Sequence, residues 1–537
     1  MTREIALPAP AGANAADQPR AGRPLPLLLT ASAGCAMTIF DTNVTAVVLP
    51  AIGRDLGSGF QGTQWVVSAY VLCFAALLLP AGAIADRLGR RRVLLAGSVL
   101  FALASAGCAV APSIALLCLA RCALGGATAF LLAPALAVIG HAFHGEDART
   151  WAFAIWGTVM GLVMVVAPVG GGAVAGLAGW RVAVGFEAPA ALLLGLATLC
   201  WIPESRDDSR RPLDPPGILL FAGTMLGITW GLINGPAGGW TSASTLAGFA
   251  GGALSGLGFL RGERRRHRPM RDLTLFLLPR FVGAVLAMGA YAAAAQGMAS
   301  LLPLYLQNGR GRDALGAGLG MLPFGFAMLV TPRLVPGLGR YLSGRALLSL
   351  GLLVTGGGDL IVAVAMAMPS SLLLGAGLAV IGIGGGLLNG ETTRAIVGAI
   401  PRDRAGMASG ISTTARFGGI LIGFSLLGTI AAQTTRLAIA TGGTPDGTLA
   451  GIGVDAGAAP DDLASLVAAG RWDVIARTIP PDGADRLIGA LHRAYDTGFS
   501  AAMTVAGVLA LVAAVAVAVL TKTPGRPAKL GSSPIRR

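Results

Sequence analysis

The chain has 537 residues, of which 54% are hydrophobic and 12% charged. Soluble domains carry about 25% charged residues, so a water-soluble fold is excluded and lipid must solvate much of the surface. The formal charge of +14 does not point to nucleic acid, because the basic residues cluster in short gaps between apolar runs. Lysine occurs only at Lys522 and Lys529, which excludes a P-loop lysine and ATP binding in the body of the chain. The 80 glycines have no G-X-Y period, so collagen is excluded. In a membrane, small residues let helices approach closely.

Residues 1–26 are rich in Pro, Ala and Gly and are expected to form a disordered cytoplasmic tail. The apolar run that follows is too long for a signal peptide and reads as a retained first span. At about 20 apolar residues per crossing, spans are expected near 27–50, 64–85, 93–111, 114–139, 151–175, 181–202, 216–234, 243–260, 281–306, 314–336, 346–367, 371–394, 406–432 and 498–520. The fold class is therefore an all-α membrane protein. Six spans in 27–205, two additional spans in 206–270 and six spans in 271–520 form the expected organisation, with a tail at 521–537. An echo between Leu88–Gly97 and Leu342–Gly351 fits paired halves, a common transporter plan.

Arginine sets the orientation. Alternate gaps hold Arg87 to Arg92, Arg206 to Arg211, Arg261 to Arg271, Arg340 with Arg345, and Arg402 with Arg404. That side is read as cytoplasmic, with both termini inside, in a bacterial inner membrane. The opposite gaps are short, except 433–497. This acidic extracytoplasmic loop has helical periodicity at Asp461–Arg477 and Ala484–Tyr495 and is expected to cap the outer surface.

The six cysteines lie in apolar runs without metal-ligand spacing and read as small hydrophobes. The four histidines form no HExxH, and no GxSxG is present, so an enzyme is not indicated. No cofactor and no metal is implied.

Ionisable groups inside a bilayer are functional candidates by default. Here they are Asp41, Arg121, Glu187, Asp359, Glu391 and Arg416. Asp41 is expected roughly 21 Å from the inner end of its span and Arg121 roughly 12 Å from the outer end of its own. In a core of about 30 Å those depths nearly coincide, so the two can meet. A proton or cation site and a structural ion pair both fit that spacing. Glu187 lies roughly 10 Å below the outer surface, as a second protonation site, a counter-charge for a cationic substrate, or a group snorkelling to the mouth. Asp359 sits near the middle of its span, with proton coupling and a hydrated structural role both open. Glu391 and Arg394 are three residues apart and read as a local pair. Trp65, Tyr70 and Trp180 read as interface anchors.

The inner loop Gly82-Ala83-Ile84-Ala85-Asp86-Arg87-Leu88-Gly89-Arg90-Arg91-Arg92 resembles the signature between spans 2 and 3 of the major facilitator superfamily. Phe40-Asp41-Thr42-Asn43 through Pro50 and Gln64-Trp65 through Tyr70 resemble the first spans of that family's fourteen-span drug:proton antiporter branch. Arg121 with Gly125 and Gly126, Gly161 through Pro168 to Gly171 and Gly172, Trp180-Arg181 through Pro189, Leu302–Gln307, and Ala405–Gly410 with Arg416 resemble later signatures. Leu124, Ala167, Ala46 and Glu187 depart from the residues usual there.

The resemblance implies two six-helix bundles plus two additional transmembrane helices. It implies proton-coupled export of drugs or other amphiphilic small molecules by alternating access, acting as a monomer in the lipid bilayer. Proton coupling would fall to Asp41, Arg121, Glu187 and Asp359. Gating would fall to Gly82, Asp86, Arg87, Gly89 and Arg90, with Asp86 latched to a helix N-terminus of the other half, and to Pro168, Gly171 and Gly172, where the proline bends span 5. An exporter of one specific metabolite, and a non-transporting membrane sensor with the same fold, are the alternatives.

Overall fold

The computed structural model describes residues 24–143, 146–206, 215–265, 275, 277–368, 370–399, 405–441, 460–468, 470–478 and 484–522. The expected N-terminal tail, most of the gaps holding Arg206–Arg211 and Arg261–Arg271, Arg402 and Arg404, the loop stretch with Asp446 and Asp455, and nearly all the C-terminal tail lie outside these residues. Among the described residues there are 14 helical segments long and apolar enough to cross a membrane, and no strand.

The helices are α1 (Pro24–Asp55), α2 (Phe60–Leu88), α3 (Arg90–Ala109), α4 (Ile114–Ala142), α5 (Glu146–Ala178), α6 (Trp180–Gly185) and α7 (Glu187–Trp201). Then come α8 (Pro215–Gly238), α9 (Ala243–Arg265), α10 (Pro279–Tyr291), a π-helical turn at Ala292–Gly297, α11 (Met298–Asn308), α12 (Ala314–Gly320) and α13 (Leu322–Leu338). The last are α14 (Gly344–Ala367), α15 (Ser371–Gly398), α16 (Ala405–Ala440), α17 (Pro460–Ala468), α18 (Trp472–Thr478) and α19 (Ala484–Leu520). Three expected spans are made of more than one helical piece: α6 with α7, α10 with the π-helical turn and α11, and α12 with α13.

Apolar length makes these segments helices, since in lipid each backbone amide must be satisfied within its own segment. Small residues set how they pack. A Cβ at Gly125 of α4 would run into the Tyr70 backbone carbonyl of α2, so those two backbones touch. A Cβ at Gly172 of α5 would strike the Ala314 carbonyl, and one at Gly318 of α12 the Pro168 carbonyl. The α5–α12 contact is thus glycine on carbonyl from both sides. α5 runs unbroken through Pro168. The Met164 carbonyl, which the proline cannot serve, faces Gly325 on α13.

Spans 1–6 and the last six meet through a few helices. Gln307 on α11 donates to the Val47 carbonyl of α1 at 2.6 Å. Phe74 of α2 meets Phe417 of α16 edge-on, ring centroids 4.3 Å apart. The two additional helices lie against this second seam. α8 and α9 form an antiparallel hairpin in which Gly227, Gly248 and Gly252 bring the backbones together. α8 then touches α2 through Trp65 and Trp230, ring centroids 5.6 Å apart. It touches α16 through Thr429, which donates to the Leu232 carbonyl at 2.7 Å.

The acidic outer segment is helical where its periodicity expects, but Asp461–Arg477 falls in two helices, Pro460–Ala468 and Trp472–Thr478, and Ala484–Tyr495 is not a separate outer helix. Residues from Ala484 onward continue into the last span as one helix of 37 residues. The apolar periodicity of that stretch packs Leu487, Ala490, Leu491 and Ala494 into the core, which favours extension of the span over a separate surface helix. α17 and α18 bury Val467 and Ile475. Trp472 stacks on His492 with centroids 3.9 Å apart and donates to the Asn308 carbonyl at 2.7 Å.

Candidate proton-coupling site

Asp41 on α1 and Arg121 on α4 form an ion pair, with side chains 0% and 2% exposed. The depth argument placed them level, and the helices place them face to face. The Arg121 Nε also donates to the Val66 carbonyl of α2 at 3.2 Å. Its guanidinium carbon lies 4.4 Å from the centre of the Tyr70 ring. A buried arginine needs this many partners, since an unserved donor in a dry site is costly.

Glu187 joins them. It opens α7, where the preceding Phe186 separates α6 from α7, and its side chain is fully buried rather than at the mouth of the bundle. Its carboxyl faces that of Asp41, with Arg121 within electrostatic reach of both. Among the described residues no donor serves either Glu187 oxygen or the second oxygen of Asp41. Arg121 thus bonds Asp41, with Glu187 a second carboxyl beside the pair, and one proton placed between the two carboxyls would bridge them.

Asp359 stands apart on α14. It is fully buried, and neither oxygen has a hydrogen-bond partner. Among the described residues no charged neighbour relieves its desolvation. Glu391 and Arg394 form the local pair expected of them, at 3.1 Å.

At the arginine-rich end, Asp86 pairs with Arg90 at 3.1 Å, within its own half. The contact expected between Asp86 and a helix N-terminus of the other half is not among the interactions of the described residues, and the first side chains of α16, one such N-terminus, lie outside them. Arg87 is exposed. Gly89 links α2 to α3 at φ +111°, a conformation that suits glycine, and a side chain there would also meet the Glu204 carboxylate. Gly82 is not in tight contact: a Cβ would meet only Ala133, at 3.8 Å. Gly171 touches Val44 of α1 and Gly172 touches α12, so the glycines after Pro168 serve two different neighbours.

Sequence reasoning missed Tyr70 as a site residue. It is 1% exposed beneath Arg121, not an interface anchor. Trp180 is likewise buried, and it donates to Asp55 at 3.1 Å. The available signal was weak: Tyr70 lies five residues after Trp65 on α2.

A family profile for the Major Facilitator Superfamily matches residues 31–424. The chain belongs to the Major Facilitator Superfamily. Among its relatives, the multidrug resistance protein Stp of Mycobacterium tuberculosis is 35% identical over 75% of each chain. The multidrug efflux pump LfrA of Mycolicibacterium smegmatis is 32% identical over 92% of this chain and 94% of its own. The tetracenomycin C resistance and export protein of Streptomyces glaucescens is 30% identical over 93% and 92%. A crystal structure of a bacterial homologue of the human lysosomal transporter Spinster, inward-facing and unoccupied, superposes with TM-score 0.64 at 18% identity, over 93% of this chain and 98% of that one. That likeness concerns the fold. As a Major Facilitator Superfamily member the chain is a multi-pass membrane transporter and not an enzyme.

Proposed function

We propose that this transporter exports amphiphilic small molecules in exchange for protons, by alternating access between halves at 27–205 and 271–520 that are bridged by 206–270. The observation that carries the reading is the Asp41–Arg121–Glu187 cluster, an ion pair with a spare carboxyl held out of water. A structural ion pair needs one carboxylate. The second gives the site a place to take up a proton without breaking the first pair. Relatives named for multidrug efflux, and for tetracenomycin C resistance and export, support the class of cargo.

In this reading substrate enters from the cytoplasm. A proton from outside is taken up by the carboxyl pair, Arg121 keeps the remaining negative charge in place, and substrate leaves outward. The halves then rock, and the proton is released inside. One charge crossing 100 mV supplies about 2.3 kcal/mol, and each pH unit about 1.4 kcal/mol. At 100 mV and one pH unit, one proton thus supports a gradient of a neutral solute of roughly several hundredfold. The arginine bias supports a reading with both termini in the cytoplasm of a bacterial inner membrane, with a monomer as the working unit.

Everted vesicles test this. Adding a substrate dye to energised vesicles should drive its uptake together with proton release. Asp41→Asn should abolish uphill movement while leaving membrane insertion intact. Uphill transport by that variant at the wild-type rate retires Asp41 from the mechanism.

A further inference from the structure

A second intramembrane cation plays no part in the proton site. Arg416 on α16 bonds the side-chain oxygen of Asn389 on α15, and its guanidinium carbon lies 5.9 Å from the Tyr291 ring centre on α10. The Tyr291 hydroxyl accepts from the amide of Gln296, in the π-helical turn, at 3.0 Å. Counted from the arginine-rich ends of their helices, Tyr291, Asn389 and Arg416 lie roughly 18, 14 and 17 Å deep at 1.5 Å per residue. Three independent counts therefore put one cluster near the middle of the bilayer, between α10, α15 and α16.

No carboxylate neutralises Arg416 among the described residues. The nearest acid on α15, Glu391, bonds Arg394 and faces Gly344 on α14. The remaining buried carboxyl of the second six spans, Asp359, has no charged neighbour. Arg416 Nε is buried without a partner, and so is the Gln296 side-chain oxygen. Yet Arg416, Asn389 and Gln296 are only half-buried, so the cluster can be reached. An arginine held at this depth with a free donor and no counter-charge is an anion-binding arrangement.

We propose that Arg416, Asn389, Gln296 and Tyr291 form a substrate subsite for an acidic oxygen, a carboxylate or an ionised phenol or enol, on an aromatic amphiphile. Arg416 supplies the charge and a free N–H. Asn389 orients the guanidinium. Tyr291 offers an aromatic face, and Gln296 a hydrogen-bond acceptor for a hydroxyl on the same ligand. The subsite deepens the export reading and rests on it for the direction of movement only.

Two xanthene dyes of opposite charge test the subsite. Binding of fluorescein, an anion, and rhodamine 6G, a cation, is measured by fluorescence polarisation on the purified full chain in neutral detergent. Fluorescein should bind about tenfold tighter than rhodamine 6G. Arg416→Gln should weaken fluorescein binding about tenfold, the scale of one charge-assisted hydrogen bond, and leave rhodamine 6G within about twofold. Arg416→Lys should retain most of the affinity, and Asn389→Ala should lose about threefold. The last two report on the site even if Arg416→Gln fails to fold, which thermal unfolding of each variant reveals. Phosphatidylglycerol added to the micelles should not displace the dye; displacement assigns the site to a lipid headgroup and overturns the proposal. So does fluorescein that fails to bind, or binds Arg416→Gln and Asn389→Ala as tightly as wild type. Arg416-dependent binding without export in everted vesicles sinks the export reading and leaves the subsite standing.

Discussion

Tyr70 lies beneath Arg121, its ring centre 4.4 Å from the guanidinium carbon, so the cation that holds Asp41 is itself held from below by an aromatic face. The contact ties α2 to α4 where Gly125 has already brought their backbones together. Three helices thus fix one guanidinium: α1 by charge, α2 by carbonyl and ring, and α4 by its own backbone.

Tyr70→Phe should preserve both stability and transport, because the ring face remains. Tyr70→Leu should lower transport several-fold and stability by about 1–2 kcal/mol, the range for a desolvated cation–π contact. Thermal unfolding in detergent and dye efflux in cells check the two arms. Equal behaviour of the two variants would show that the ring face does not matter.

Arg121→Leu should destabilise by about 3–5 kcal/mol, since it strands a buried carboxylate. Adding Asp41→Asn to it should recover much of that loss, as both charges are then gone. A double-mutant cycle on unfolding midpoints measures the coupling. Strictly additive losses would mean that the two charges do not depend on each other.

Gly172→Val should abolish accumulation of folded protein, because its side chain would enter the Ala314 carbonyl of α12. Gly170→Ala, two residues away, should be neutral, for a Cβ there meets nothing within 4 Å. Size-exclusion profiles of the two variants give the comparison.

Asp359→Asn should leave stability unchanged or raise it, because it removes an ionisable group with no partner from a fully buried site. In the proton-coupled cycle it should also lower the steepness of uphill export while sparing downhill movement. Parallel assays with and without a pH gradient separate these effects.

Much of the fold was legible because one-dimensional quantities determine it. Apolar run length gave the spans. Equal depth brought Asp41 to Arg121, since depth is a count along each helix. What the counts omit is rotation. Tyr70 and Trp180 have the composition and position of interface anchors, yet both turn inward. Glu187 is equally compatible with snorkelling outward in the sequence, and only the rotation of its helix, which buries the side chain fully, decides. The 484–497 stretch has a helical period whether it lies on the surface or extends a span, and only its packing against the core decides. Asn389 and Tyr291 carried no signal at all, because an uncharged residue in an apolar run becomes informative only through what stands opposite it.

The hairpin of α8 and α9 has a mechanical consequence. α8 is fastened to α2 on one side and to α16 on the other, so it shutters one of the two flanks along which separating lobes would part. An oily compound dissolved in the surrounding leaflet meets a closed wall on that flank. In the proposed cycle its sideways route inward would run past the opposite flank, along α5 and α12, where glycine packs on carbonyl from both sides and Arg333 of α13 donates to Thr158 of α5 at 3.3 Å.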